Sequence, residues 1–217
     1  MSTKPLPLTT ELYAYLVAHG SAPDEIARDL AEETRAALPA EAGMRVAPEH
    51  VAVLTFLARL VGVRQAVAVG ACTWLPALAI ARGLADGGRL ACFDTFEGDT
   101  GMARRHWARA GVEERIDLLT GPVADRLREL PRERYLDFAF LGADAAENAV
   151  HWDELVPRMC PGGVITVDRT LRAGRVLAPR DADDRAVAAF NDEVVADARV
   201  EVVMLPIADG VTLARVR

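Results

Sequence analysis

Three residues that could take part in chemistry follow two apolar stretches of this chain. Gly142 comes directly after the stretch 135–141, and Asp168 and Arg169 end the stretch that begins at residue 163. Parallel strands that end side by side would bring these residues to one edge of a sheet, where α/β proteins bind their ligands. A divalent metal site there would need several oxygen ligands, and the chain offers one carboxylate, one glycine and one cation. The residues therefore predict a ligand site without the usual donors of a metal site.

The rest of the sequence supplies the elements that would position this edge. Short apolar runs alternate with helical periodicity, which indicates a mostly parallel sheet covered by helices on both faces. The turn signal at 208–210 joins the last two runs, so we expect an antiparallel pair at one side of the sheet. The predicted strands are 66–70, 89–94, 115–119, 135–141, 163–168, 199–205 and 211–216. The predicted helices are two within 9–38, and one each at 48–61, 74–85, 99–110, 122–130, 147–160 and 181–197.

Composition narrows the class of protein. The chain has 217 residues, of which 51% are hydrophobic, so it can bury the core of one globular domain. A net charge of −7 without basic blocks argues against nucleic-acid and membrane partners. Cys72, Cys92 and Cys160 are far apart in apolar settings, which favours free thiols in a reducing compartment. The absence of a leader pattern and of a long apolar run predicts a cytoplasmic protein.

Several motifs resemble a known family. The closing stretch 205–215 reads LPIADGVTLAR and is similar to the LPIGDGLTLAR hairpin that ends the small cation-dependent O-methyltransferases. These include the catechol and caffeoyl-coenzyme-A enzymes. The segments 104–107, 161–163 and 174–176 match the family as well. The resemblance implies an α/β fold with a Rossmann-like seven-stranded sheet and an antiparallel C-terminal hairpin, which binds S-adenosylmethionine (SAM).

The same resemblance implies an overall organisation. It places a methyltransferase-like domain at 44–217 and an added N-terminal helical segment at 1–43, on the acceptor and dimer side, within one globular unit. It also implies a homodimer, and a heterodimer with a paralogue stays open.

The resemblance assigns cofactor contacts to particular positions. Asp94 would accept hydrogen bonds from the ribose hydroxyls at the end of the second strand. Gly70 would let the backbone approach the cofactor, and the backbone of Val123 would contact the adenine. Asp144 would lie near the sulfonium, and the segment with Met44 and Val46 would fold over the cofactor.

Three neighbouring positions depart from the family pattern. Ala68 replaces a glutamate, Trp74 a glycine, and Pro76 the serine that would bind the methionine carboxylate. Proline is comfortable in the first turn of a helix but has no N–H to donate. Trp74 would either fill part of the methionyl pocket or pack into the core or a dimer contact. Whether SAM binds therefore stays open at this stage.

The residues of the expected reaction site depart further from the family pattern. Relatives hold a divalent ion with two aspartates and an asparagine, and the matching positions here are Gly142, Asp168 and Arg169. Ala145 stands where a lysine often serves as the general base. With one ligand of three, we expect no metal site and no bound divalent ion. Arg169 would pair with Asp168, either as a cation that stabilises an oxyanion or binds a carboxylate, or as a plain packing ion pair.

Histidines offer an alternative base. His151 lies on a predicted helix beyond the loop with Asp144, and its imidazole could act as a base or be structural. His50 and His106 are interpreted as ordinary helix-face residues. The favoured hypothesis is a SAM-dependent O-methyltransferase that works without a metal on a small hydroxylated metabolite. The alternatives are a non-methylating enzyme in the same pocket and an inactive subunit that pairs with an active paralogue.

Overall fold

A computed structural model describes residues 6–37, 47–70, 74–95, 100–142 and 145–217. Within these ranges the strands are β1 Gln65–Val69, β2 Arg89–Asp94, β3 Ile116–Thr120, β4 Leu136–Leu141, β5 Met159–Asp168, β6 Val200–Leu205 and β7 Val211–Val216. The helices are α1 Thr10–Ala18, α2 Glu25–Ala37, α3 Pro48–Val61, α4 Leu75–Gly83, α5 Gly101–Arg109, α6 Val123–Glu129, α7 Asn148–Leu155 and α8 Ala182–Ala196.

The described strands form one sheet in the order β3-β2-β1-β4-β5-β7-β6. Strands β1 to β5 pair in parallel, whereas β7 runs antiparallel to both β5 and β6. The predicted α/β fold with an antiparallel closing hairpin is therefore confirmed. Its carboxyl edge collects the ends of five parallel strands, because each crossover connection returns the chain to start the next strand in the same direction.

The helix predicted over 147–160 is too long. Helix α7 ends at Leu155, a short 3₁₀ turn follows, and β5 begins already at Met159. Pro157 lies in that turn and has no N–H for a helical hydrogen bond. The extra strand residues pass opposite β4 with a shift in register between Leu136 and Phe138.

Apolar side chains fill both faces of the sheet. Helices α2 to α5 cover one face, where Phe138 and Phe140 of β4 point, and α6 to α8 cover the other, where Ala139 and Leu141 point. The alternation follows from the two-residue period of a strand. Leu30 of α2 is fully buried in the first of these cores. No helix in the described part of the chain is long and apolar enough to cross a membrane.

Candidate functional site

Two glycines connect the strand ends at the carboxyl edge. The N–H of Gly70 donates to the carbonyl of Phe93 at 2.9 Å, and the N–H of Gly142 donates to the carbonyl of Val69 at 2.9 Å. Gly70 has a φ of +68°, a conformation that favours glycine. The backbone of β1, β2 and β4 is thereby joined at one edge, as the sequence predicts.

Asp94 lies on one side of this junction. It ends β2 with 4% of its surface exposed, and its carbonyl accepts a hydrogen bond of 3.0 Å from the N–H of Gly121. Burial, together with the Asp94 charge, raises the pKa of the nearby Cys92 thiol. The site therefore presents an acidic group beside a glycine whose backbone can be approached closely, which fits the ribose end of a nucleoside.

Val123 begins α6 at the same edge. Its side chain is buried in the core with Val69 and Phe93. The adenine contact expected of the Val123 backbone stays a prediction.

The indole of Trp74 is a core side chain. It is fully buried and packs edge-on against Trp107, with ring centroids 6.1 Å apart and an interplanar angle of 81°. Of the two sequence interpretations of this residue, the structure supports packing. Trp74 itself has a left-handed backbone, with φ of +57°, and Pro76 follows in the first turn of α4.

Asp168 ends β5 and Arg169 follows it, next to Gly142. Arg169 has a φ of +57°, and its backbone N–H donates to Asp168 Oδ1 at 2.8 Å. Its Nη2 donates to the carbonyl of Gly142 at 3.2 Å, across the gap between β5 and β4. The predicted pairing with Asp168 is thus made by the backbone amide, because the left-handed turn directs this N–H to the preceding carboxylate. The guanidinium reaches the end of β4 through the bond to Gly142.

His50 is the residue that sequence interpretation missed. It lies in the first turn of α3, is fully buried, and places Nδ1 3.4 Å from Asp168 Oδ1. Its ring centroid is 6.2 Å from that of Phe140. The interpretation as an ordinary helix-face residue is wrong. A usable signal was its position six residues after Met44, in a stretch expected to cover the same edge.

The described residues at this edge do not fit the metal ion implied by the family pattern. The position of the first aspartate is a glycine, and an added Cβ on Gly142 would lie 2.6 Å from Cε1 of Phe140. The asparagine position carries the guanidinium of Arg169, a cation that cannot ligate a metal. In the described residues, no group of three or more His, Cys, Asp or Glu side chains could hold a metal ion.

The candidate base His151 lies on α7, which covers the face of the sheet opposite to α3. Its side chain is fully buried, and Nε2 is 3.7 Å from Glu147 Oε2. Burial lowers the pKa of His151, although the Glu147 charge partly opposes that effect. The structure thus brings Asp168 and Arg169 together with His50 rather than with His151, whose catalytic role stays a prediction.

Three predicted cofactor residues, Met44, Val46 and Asp144, lie outside the described residues. Their roles stay predictions.

The segment that follows Arg169 is anchored on two sides. The N–H groups of Thr170 and Leu171 donate to the carbonyls of Gly210 and Asp209 at 3.2 and 2.8 Å. Further along, Arg172 and Arg175 donate to the buried carboxylate of Asp184 on α8, at 3.2 and 2.9 Å. These contacts hold the loop between β5 and α8 against the closing hairpin.

Burial of Asp184 acts to raise its pKa, but the hydrogen bonds from Arg175, the Arg180 amide and Arg172 outweigh this. The pKa of Asp184 falls to about 2.

Comparisons with known proteins agree with this geometry. A family model described as O-methyltransferase matches residues 18–217. A Dictyostelium discoideum protein named "Probable caffeoyl-CoA O-methyltransferase 1" is 30% identical over 205 residues, which cover 92% of this chain and 89% of the relative. A solved O-methyltransferase from Bacillus cereus in complex with SAH is 27% identical with a TM-score of 0.84, covering 96% of this chain and 98% of that chain.

A second solved structure supports the fold. The O-methyltransferase TomG from Streptomyces achromogenes, in complex with SAM, has a TM-score of 0.85 at 23% identity and covers 95% of this chain and 96% of that chain. With the family model matching most of its length, this chain belongs to the O-methyltransferase family.

Proposed function

We propose that this protein transfers a methyl group from SAM to a hydroxyl of a small metabolite, without a divalent metal ion. The observation that carries the proposal is the guanidinium of Arg169, whose Nη2 lies 3.2 Å from the Gly142 carbonyl at the edge shared with Asp168. A fixed cation stands where relatives are expected to hold the metal, and a cation is the part of metal chemistry that an arginine can supply.

The proposed cofactor site uses the neighbouring strand ends. Asp94 would accept hydrogen bonds from the ribose hydroxyls, Gly70 would allow close approach of the backbone, and the Val123 backbone would contact the adenine. The SAH complex of the Bacillus cereus relative supports the choice of cofactor. When bound, SAM supplies an electrophilic methyl group on a sulfonium, which needs alignment more than activation.

The residues of this chain would act on the acceptor. Asp168 or solvent would take the hydroxyl proton as the acceptor oxygen gains the methyl group, with SAH left as the second product. Arg169 stabilises the negative charge that develops on the acceptor oxygen. Because a guanidinium does not act as a base, the reaction favours acceptors whose hydroxyl is already acidic, such as phenols with electron-withdrawing groups.

The test starts with the cofactor. Titration calorimetry with SAM and SAH, in EDTA and then with added Mg²⁺, should give micromolar binding that is indifferent to the metal. A panel of phenols and hydroxylated acids would then be screened for SAM-dependent methylation in EDTA. Activity that EDTA abolishes and Mg²⁺ restores would overturn the metal-free proposal. Cofactor binding without any methylated product would favour a different reaction in this pocket.

We also propose that the protein is a homodimer. Helix α1 has no buried residue, and its Tyr15 and Leu16 are 61% and 46% exposed, so a second copy would cover apolar surface there. Light scattering after size exclusion should give twice the chain mass of 23.4 kDa. A stable monomer would contradict the homodimer. If the protein can be purified only together with a homologous chain, a heterodimer with a paralogue would be favoured.

A further inference from the structure

We propose that His50 is a positioning residue for Asp168. Its buried imidazole fixes Oδ1 of the carboxylate, so that Oδ2 is left to accept the hydrogen of the acceptor hydroxyl. The assignment of Asp168 to the acceptor rests on the proposed function, whereas the contact between His50 and Asp168 does not.

The two oxygens of Asp168 have different surroundings. Oδ1 accepts the Arg169 backbone N–H at 2.8 Å and lies 3.4 Å from His50 Nδ1. Among the described residues, the Arg169 amide is a hydrogen-bond donor to this carboxylate, and the His50 ring approaches it without a hydrogen bond of normal geometry. The Asp168 side chain is 8% exposed, whereas the His50 side chain behind it is fully buried. The protein thus contacts the carboxylate through Oδ1, and Oδ2 is the oxygen that we assign to a ligand.

The placement of His50 is hard to explain as packing alone. The surroundings are apolar, with the ring of Phe140 beside it, and both ring nitrogens are buried. Within the described residues, neither ring nitrogen makes a hydrogen bond, and the nearest charged group is Oδ1 of Asp168, 3.4 Å from Nδ1. An aliphatic side chain would fill this space without burying polar atoms, which is unfavourable when they lack partners. The compensating feature is the carboxylate next to Nδ1.

The contact also selects a tautomer. An ionised carboxylate only accepts hydrogen bonds, so the proton of a neutral imidazole belongs on Nδ1. If the Asp168 carboxylate is held in one rotamer, its distance from the Arg169 guanidinium is fixed. The methyl acceptor then meets a proton-accepting group and a cation in one arrangement. Alignment of this kind contributes to the rate of methyl transfer rather than to cofactor binding.

The first experiment compares three substitutions at this position. His50→Asn keeps a donor near the place of Nδ1, His50→Gln moves its donor toward the place of Nε2, and His50→Leu removes it. With an acceptor from the screen, kcat should fall about 10- to 100-fold in the Leu and Gln variants. The Asn variant should stay within about threefold of wild type, and Kd for SAM should be unchanged in all three. Equal kcat for His50→Leu and wild type would overturn the proposal, and so would an Asn variant as slow as the Leu variant while still binding SAM.

A second experiment needs no activity. Long-range ¹H–¹⁵N spectra of the ¹⁵N-histidine protein, with the His50 signals assigned by their loss in His50→Asn, report which ring nitrogen carries the proton. We expect the Nδ1–H tautomer in the wild type and its loss in Asp168→Leu. An Nε2–H tautomer in the wild type would overturn the inference even if methyl transfer is found. An Nδ1–H tautomer would keep the contact valid even if no acceptor is ever methylated.

Discussion

The ring of Phe140 occupies the space in which a side chain on residue 142 would begin. A Cβ built on Gly142 would lie 2.6 Å from Cε1 and 2.8 Å from Cζ of that ring. Phe140 is itself packed in the core beneath α3, and its ring cannot bend away as a flexible chain would. Glycine is therefore required at position 142, because the ring of Phe140, two residues earlier, leaves no room for a Cβ there.

Gly142→Asp alone should destabilise the protein without creating a metal site. The aspartate would force Phe140 off its place, and overpacking of this kind costs about 1–3 kcal/mol. Thermal unfolding should show a lower Tm than wild type, and calorimetry should show no Mn²⁺ binding. Phe140→Leu with Gly142→Asp and Arg169→Asn removes the clash and the cation together, and this triple variant should bind Mn²⁺. Its control is Phe140→Leu alone, and a fully stable Gly142→Asp variant would contradict the packing argument.

Removing the charge of Arg169 should slow methyl transfer while leaving cofactor binding intact. Arg169→Asn suits the left-handed φ of +57°, because asparagine adopts this conformation more readily than most residues. We expect kcat/KM for the acceptor to fall at least about 10-fold, since the variant loses a charge-assisted contact. Kd for SAM, measured by calorimetry, should change less than about twofold, because the proposed nucleoside contacts are assigned to Asp94, Gly70 and Val123. A matching loss of SAM affinity would place Arg169 at the cofactor instead.

Asp94→Ala should weaken cofactor binding strongly. The variant would lose two hydrogen bonds from ribose hydroxyls to a carboxylate, each worth about 1.5–3 kcal/mol, so we expect Kd for SAM to rise at least about 10-fold. Asp125→Ala is the matched control, because Asp125 is exposed on α6 and pairs with Arg128 at 2.8 Å. Unchanged SAM binding in Asp94→Ala would move the ribose site elsewhere.

Protonation of Asp184 should lower the free energy of unfolding in acid. Its pKa is lowered from 3.8 to about 2 in the folded protein. A depressed folded pKa stabilises the native state fully above the unfolded pKa and loses that stabilisation as the pH falls through the folded pKa. The free energy of unfolding of the wild type, measured by chemical denaturation, should therefore fall between pH 4 and pH 2.

Asp184→Asn should flatten that part of the pH profile. It should also lower Tm at pH 7 by roughly 5 °C or more, because Arg172 and Arg175 would face a neutral group. Asp183→Asn is the control, since Asp183 is half-exposed and lies 3.5 Å from Arg172. If both variants behave alike, Asp184 does not anchor the loop after β5.

The order of the elements could be predicted from local pattern. Apolar runs bounded by turn signals located the strands, and only the start of β5 and the end of α7 were misjudged. There the segment 156–160 reads as helix, because its pairing opposite β4 is not encoded in periodicity.

Three residues show what local pattern could not decide. Trp74 fits a pocket or a core by sequence, and only its contact with Trp107 assigns it to the core. Arg169 pairs with Asp168 through its amide, because its backbone is left-handed. His50 meets Asp168 because α3 packs over β4, although 118 positions separate them in the chain.

The sequence by itself determined the family, the sheet, and the arrival of Gly142, Asp168 and Arg169 at one carboxyl edge. These follow from strand ends, which local apolar runs and turns specify. Only the tertiary structure decided that the carboxylate of Asp168 faces His50 and that Phe140 closes the space beside Gly142. Both depend on which face of the sheet each side chain enters and which helix covers that face, and these are set by packing between segments far apart in the chain.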